Sequence, residues 1–245
     1  MRQYSRKLRG VSAIVLSLVL GAAVALAPIA RGNESDETQS RVVAPLDVAI
    51  LIQDDLISRV ANELGEIRDF IRSLPSGSRV MVGYITTGTL QVRQPFTADL
   101  GKAAGSLRIP VSRDSASAFN PYVEVVEGLR KFESGSKNQK VVLLISDGLD
   151  VSRGFDSASV LQSIDLERAI REAKERNVTI FAFYAPATGL TSRSQLASSW
   201  GQSSLNRLAD ETGGKAFFQG TSFVTFDSHF ARLIRELNRS YSLEP

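Results

Sequence analysis

The chain has 245 residues, 43% apolar and 22% charged, with no cysteine. That balance suits one well-filled globular domain and excludes collagen-like, low-complexity and wholly disordered chains, as well as disulfides, zinc ribbons, iron–sulfur clusters and thiol nucleophiles. The formal net charge of +3 comes from the amino terminus: Arg2, Arg6, Lys7 and Arg9 stand with no acid among residues 1–30, and without these four the 29 cations no longer outnumber the 26 acids, which argues against a nucleic-acid partner.

Those cations precede an uncharged run from Val11 to Ala27, closed by Pro28. This reads as the basic and apolar regions of an export signal, with Ala23-Val24-Ala25 as an A-x-A cleavage site. The run exceeds the usual signal core of ~7–15 residues and reaches the lower edge of a spanning helix, so an uncleaved membrane anchor is the alternative. Either form places the domain outside the cytoplasm, periplasmic, secreted or tethered. The expected organisation is an export signal or anchor over 1–30, a polar linker over 31–44, and one domain over 45–245.

Residues 46–52 form a short apolar run, as expected of a strand buried on both faces. From Ile57 the period changes: Ile57, Val60, Leu64, Ile67, Phe70, Ile71 and Leu74 recur at three- and four-residue steps, predicting an amphipathic helix that stops at Pro75-Ser76-Gly77. Residues 79–86 and 89–96, separated by Thr87-Gly88, read as a hairpin. A short helix is expected over 99–107, then a Ser-rich loop over 112–120. Asn120-Pro121 starts a helix carrying Tyr122, Val125, Val126, Leu129 and Phe132 inward.

Residues 140–146 are a second buried strand, ended by Asp147-Gly148. Asp165 is expected to cap a helix with Leu166, Ala169, Ile170 and Ala173 on one face; residues 178–184 are the next strand. The stretch 186–202, rich in Ser and Thr with little periodicity, reads as a long loop. A helix with Leu205 and Leu208, a strand over 215–218 and a last helix over 226–239 complete the chain. Strands alternating with helices predict an α/β, Rossmann-like doubly wound, mostly parallel six-stranded sheet with one antiparallel edge strand. Sites in such sheets lie beyond the carboxyl ends of the strands, at the switch point of strand order; Asp54, Asp55, Asp147 and Asp150 fall there.

Three segments carry a family resemblance: VAILI running into an acidic loop and long helix, VVLLISDGLD, and LNRLADETGGKAFF. Together they resemble a von Willebrand factor type A (vWA) domain over residues 45–240. The insert after Asp147 and Trp200-Gly201-Gln202 are most similar to exported bacterial VWFA-related proteins. The resemblance implies a metal-ion-dependent adhesion site in which a D-x-S-x-S loop, a Thr and a further Asp hold one Mg²⁺ or Mn²⁺, completed by an acidic side chain of a partner protein. Hard cations take oxygen ligands, and an incomplete shell is a socket for a carboxylate.

Carried over, Asp147 matches the further Asp and Asn120 falls at the Thr. In one register Gln53, Asp55 and Ile57 occupy the D-x-S-x-S positions; in a second, requiring a bulge, Asp54, Leu56 and Ser58 do. The expected ligands of this degenerate site are therefore Asp147, Asp55, Asp54, Asn120 and Ser58, with Gln53, Asp150 and Trp200 on a partner-binding rim. A helix cap by Asp55 and Ser58 is the plainer reading of those two. Trp200 either anchors a partner or pins its own loop.

The function expected is a non-enzymatic, exported protein-binding module. Two alternatives stand beside it. The first is Mg²⁺-dependent phosphoryl transfer through Asp54, Asp55 and Asp147, as in receiver domains and haloacid-dehalogenase-like phosphatases. The second is a purely structural module assembling through another face, for which residues 240–243 offer an extra edge strand. His229, without a second histidine or cysteine, reads as a surface or half-buried helix residue.

Overall fold

Leu46, Val48, Ile50 and Ile52 face one apolar core while Ala49 and Leu51 face another, so the first strand, β1 (Leu46–Gln53), is buried on both sides. The computed structural model describes residues 44–112, 120–156, 162–218 and 227–241. Contacts divide the chain between residues 39 and 40, and everything described belongs to the second unit. The expected export signal or anchor, nearly all of the linker and most of the Ser-rich stretch lie outside the described residues. No helix among the described residues is long and apolar enough to cross a membrane.

The remaining strands are β2 (Arg79–Thr86), β3 (Thr89–Thr97), β4 (Gln139–Ser146), β5 (Val178–Tyr184) and β6 (Ala216–Phe217). They form a six-stranded sheet in the order β3-β2-β1-β4-β5-β6. All neighbours are parallel except β2 and β3, joined through a turn at Gly88 (φ +73°). Edge strand β3 alternates buried Leu90 with exposed Thr89 and Gln91, a half-wet face that a parallel central strand never shows. The doubly wound fold with one antiparallel edge is thus the observed one.

Helices α1 (Val60–Ser73), α2 (Leu100–Gly105) and, from the C-terminus, α7 (Asp227–Tyr241) share the core beneath Val48 and Ile50. On the other face lie α3 (Tyr122–Leu129), α4 (Ile164–Glu175) and α6 (Gln195–Glu211), with the short α5 (Leu190–Arg193) before α6.

Several expectations are corrected. Helix α1 starts at Val60 rather than Ile57, because Ile57 N–H donates to Pro186 O (3.0 Å) beside an antiparallel bridge between Leu56 and Ala187. Neither Asp55 nor Ser58 caps it; Arg59 is the capping position and offers no side-chain bond. Ser163, not Asp165, caps α4 by accepting from Leu166 N (3.1 Å). The stretch 186–202 is mostly helical. Its period was hidden because Ala197, Ser198, Gly201 and Ser204 form the buried face of α6, and small residues carry little hydropathy signal. Strand β6 is shorter than 215–218. Ser240 and Tyr241 continue α7, so no edge strand starts there, and residues 242–243 lie outside the described part. His229 is buried rather than superficial.

Candidate functional site

The chain leaves β1 toward β2 on one side and returns as β4 on the other, so the crevice beyond the carboxyl ends of β1 and β4 is the switch point of the sheet. Parallel pairing sets Ile52 beside Ile145, so the next residues along, Gln53 and Ser146, end their strands side by side. The Gln53 amide spans the gap. Its Nε2 donates to Asp55 Oδ1 (2.8 Å), while its Oε1 accepts from Ser146 Oγ (2.5 Å) and from Asp147 N (3.1 Å). Asp147 in turn accepts from Leu149 N at Oδ1 (3.1 Å) and from Thr191 Oγ1 at Oδ2 (2.9 Å); Thr191 Oγ1 also accepts from Ala187 N (2.8 Å). Loops from β1, β4 and β5 therefore close on one another through side chains almost wholly removed from solvent: Gln53 is 1% exposed, Asp55 3% and Asp147 5%.

Backbone bonds brace the same rim. Thr188 N donates to Asp55 O (2.9 Å), Asp54 N to Ile85 O (2.9 Å) and Ser112 N to Asp54 O (3.0 Å). Tyr122 Oη donates to Gly148 O (2.6 Å) from beneath. Gly148 holds a left-handed φ of +68°, where a side chain would meet Leu205 and the Gly201 carbonyl; this packs α6 directly against the β4 loop. Trp200, on α6 rather than in a loop, lies 5.0 Å from Phe155 (ring centroids, tilted 55°) and packs with Val151 on the buried Leu149 and Ala197. It pins the insert after Asp147 to the helix.

Two facing carboxylates in a dry crevice disfavour ionisation. Burial, and then the Asp55 charge, push the Asp147 carboxyl up to about 7 despite the bonds it accepts. Burial likewise pushes the Tyr122 hydroxyl above its ordinary range, with Asp147 and Asp150 adding to it.

Of the residues expected at the site, the structure brings together Asp55, Asp147 and Gln53. Asp54 is turned away: both its oxygens accept from Arg108 (2.6 and 2.8 Å), and Oδ1 accepts from Val111 N (3.0 Å). The register with Gln53 first is the observed one, without a bulge at Asp54. Ser58 is exposed in the turn before α1. Asn120 accepts from Tyr122 N (2.9 Å) and donates to Asp165 Oδ2 (2.7 Å), fastening α3 to α4. Asp150 accepts from Ser152 N (3.0 Å) and bonds the hydroxyl of Ser163, so it anchors the start of α4. Ser146 and Thr191 are the participants that sequence reasoning missed. A hydroxyl closing an otherwise apolar strand, as Ser146 does, is the one signal that pointed to such a role.

The donor set does not fit the cation site that the family resemblance implies. The first position is a neutral carboxamide, Asp54 and Asn120 are committed elsewhere, and Asp147 already accepts a protein hydrogen bond on each oxygen. Among the described residues, no three His, Asp or Glu side chains are grouped to hold an ion. Mg²⁺ and Mn²⁺ take an octahedron of hard oxygens, so carboxylate oxygens already engaged in protein hydrogen bonds and a neutral carboxamide at the first position are poor substitutes for the implied ligand set.

No family model and no curated protein matches the sequence. Solved structures do match in shape. An aerotolerance-related membrane protein from Bacteroides fragilis superposes with a TM-score of 0.55 at 12% identity, over 79% of this chain and 99% of that one. The six strands, their order and the single antiparallel edge decide the architecture. The fold is vWA-like. A mussel byssus protein, proximal thread matrix protein 1, matches this vWA-like domain with a TM-score of 0.50 at 15% identity, over 83% of this chain and 48% of that chain; the present chain spans about half its length. The VWA domain of SpRpn10 is 12% identical over 78% of this chain and 95% of its own, with a TM-score of 0.47. At such identities a vWA-like domain shares fold, and its function rests on its own site.

Proposed function

We propose that this chain is an exported, non-enzymatic protein-binding module that takes its partner on the loops at the carboxyl end of the sheet. The observation that carries this reading is that the buried Gln53, Asp55 and Asp147, from turns more than ninety positions apart, lock the loops together and so fix the surface above them. A rim made of three interlocked loops, widened by the insert that Trp200 and Phe155 hold, is a preorganised surface of the kind that lowers the ordering cost of binding. Export rests on the basic and apolar amino-terminal run, cleaved or retained as a membrane tether.

Catalysis by phosphoryl transfer has no support in the geometry. Asp54, the candidate nucleophile, is held by both arms of Arg108, and Asp55 and Asp147 lie beneath the surface. A nucleophile needs an approach path and a free lone pair.

Affinity capture from the native envelope, with and without EDTA, tests the binding reading. A Leu190→Asp variant, altered at the exposed start of α5 in the segment after β5, is compared with the wild type after circular dichroism shows both folded. Loss of a partner from the variant supports the rim as the binding surface. Equal capture by both proteins assigns assembly to another face and leaves the rim a structural element.

A further inference from the structure

We propose that the Gln53 carboxamide stands in for the resident cation, holding the β1, β4 and β5 loops in their binding arrangement without any divalent ion. This role belongs to the construction of the rim itself, so it is tested on the protein alone and stands or falls separately from partner binding.

The structural work of an ion in such a crevice is to draw oxygen atoms from several loops onto one point and to offset their charge. A carboxamide does part of this with no charge, because one planar group carries two donors and an acceptor with two lone pairs. Gln53 uses both ends: the NH₂ meets Asp55, and the oxygen meets the Ser146 hydroxyl and the Asp147 backbone N–H. Thr191 continues the chain to the third loop through Asp147 Oδ2 and Ala187 N. Each of these atoms is buried, where an unmade bond costs about 1–3 kcal/mol. The network therefore specifies the loop positions strongly.

An ion entering here would have to displace these bonds while gaining no first-position carboxylate. Gln53 lies at the end of β1, so its side chain is aimed by seven parallel register pairs with β2 and seven with β4 rather than by a loop. Replacing it by a carboxylate of the same shape would abolish the donor to Asp55 and set a third negative charge in the crevice. That is the arrangement in which a divalent ion becomes necessary.

The test is thermal unfolding and calorimetric titration of the full chain with MgCl₂ or MnCl₂ alone. For the wild type, Tm in EDTA and in millimolar MnCl₂ is expected to agree within about 1 °C, since an ion bound well below millimolar would raise it by mass action. Gln53→Met keeps the length and removes the bridge; its Tm is expected to fall by about 5 °C or more and to stay down in MnCl₂. Gln53→Glu is expected to be destabilised in EDTA and to recover several degrees with MnCl₂. The inference is overturned if the wild type takes up Mn²⁺ or Mg²⁺ stoichiometrically at or below millimolar concentration, or if Gln53→Met unfolds at the wild-type temperature. Should Gln53→Glu fail to fold, the wild-type titration and the Met variant still decide the matter.

Discussion

Gly201 packs so closely over Asp147 that a Cβ on the glycine would stand 2.0 Å from the aspartate carbonyl oxygen. The contact is backbone against backbone between α6 and the β4 loop, so neither side can rotate out of the way. Gly201→Ala is expected to destabilise the domain by about 3 kcal/mol or more, read as the urea midpoint. Gly213→Ala is the control, since nothing lies within 4 Å of a Cβ there, although the φ of +81° carries a smaller cost of its own.

The Asp147 carboxyl makes stability rise as pH falls. Its folded-state pKa, about 7, lies above the ordinary 3.8, because burial and the Asp55 charge disfavour the ionised form. The stabilisation is fully present below 3.8 and is lost as pH rises through about 7. Asp147→Asn is therefore expected to gain on the order of 2 kcal/mol over the wild type at pH 8 and to lose that advantage near pH 5. A pH series of chemical denaturation checks it; a difference independent of pH refutes it.

His229 acts in the opposite sense. The imidazole is buried edge-on to Phe183 (6.1 Å between centroids) and beside Phe217 (5.5 Å), and neither nitrogen has a hydrogen-bond partner among the described residues. Burial, then Arg232, hold its pKa below the ordinary 6.5, so its neutral form is favoured and the fold loses stability as pH drops below 6.5. His229→Phe fills the same aromatic site without a titrating group. Its Tm at pH 5 is expected to exceed the wild type by about 2–4 °C, with a smaller gap at pH 8.

Arg108 clamps the loop after β1 from outside. Its guanidinium holds both oxygens of Asp54 and lies 4.0 Å over the Tyr84 ring, while its own N–H and carbonyl bond the Tyr84 hydroxyl (2.7 Å each). Arg108→Ala is expected to cost about 2 kcal/mol, and Arg108→Lys to recover only part, since an ammonium cannot form the paired bonds or stack on the ring. A double-mutant cycle with Asp54→Ala isolates the pair; a coupling below about 0.5 kcal/mol contradicts the assignment.

Much of the architecture was legible before any coordinates. The two-sided apolar strands at 46–52 and 140–146, the change of period from Ile57, three residues ahead of the actual helix start, and the Thr87-Gly88 turn are local patterns, and each stems from what the neighbouring backbone must bury. The first half of α6 was not legible, because there its inward face is built from Ala, Ser and Gly, whereas Leu205 and Leu208 marked the second half. That face needs small residues to meet the β4 loop, and the need is visible only with the loop in place.

The candidate site divides in the same way. That acids come after β1 and β4, and that these strands end at the switch point, is a matter of order along the chain. Which of two neighbouring aspartates enters the crevice is not. Asp54 and Asp55 differ by one position and lie in the turn just past β1, where the strand's alternation no longer fixes which way a side chain points. Register with β4 and the pull of Arg108, over fifty residues away, sent Asp54 outward and left Asp55 against Gln53. By itself the sequence determined the parallel sheet and the kinds of side chain at its edge, because burial pattern and turn chemistry act between near neighbours. Only the tertiary structure decided that an amide bridges those loops, because hydrogen bonds among Gln53, Ser146 and Thr191 depend on distances that chain order does not encode.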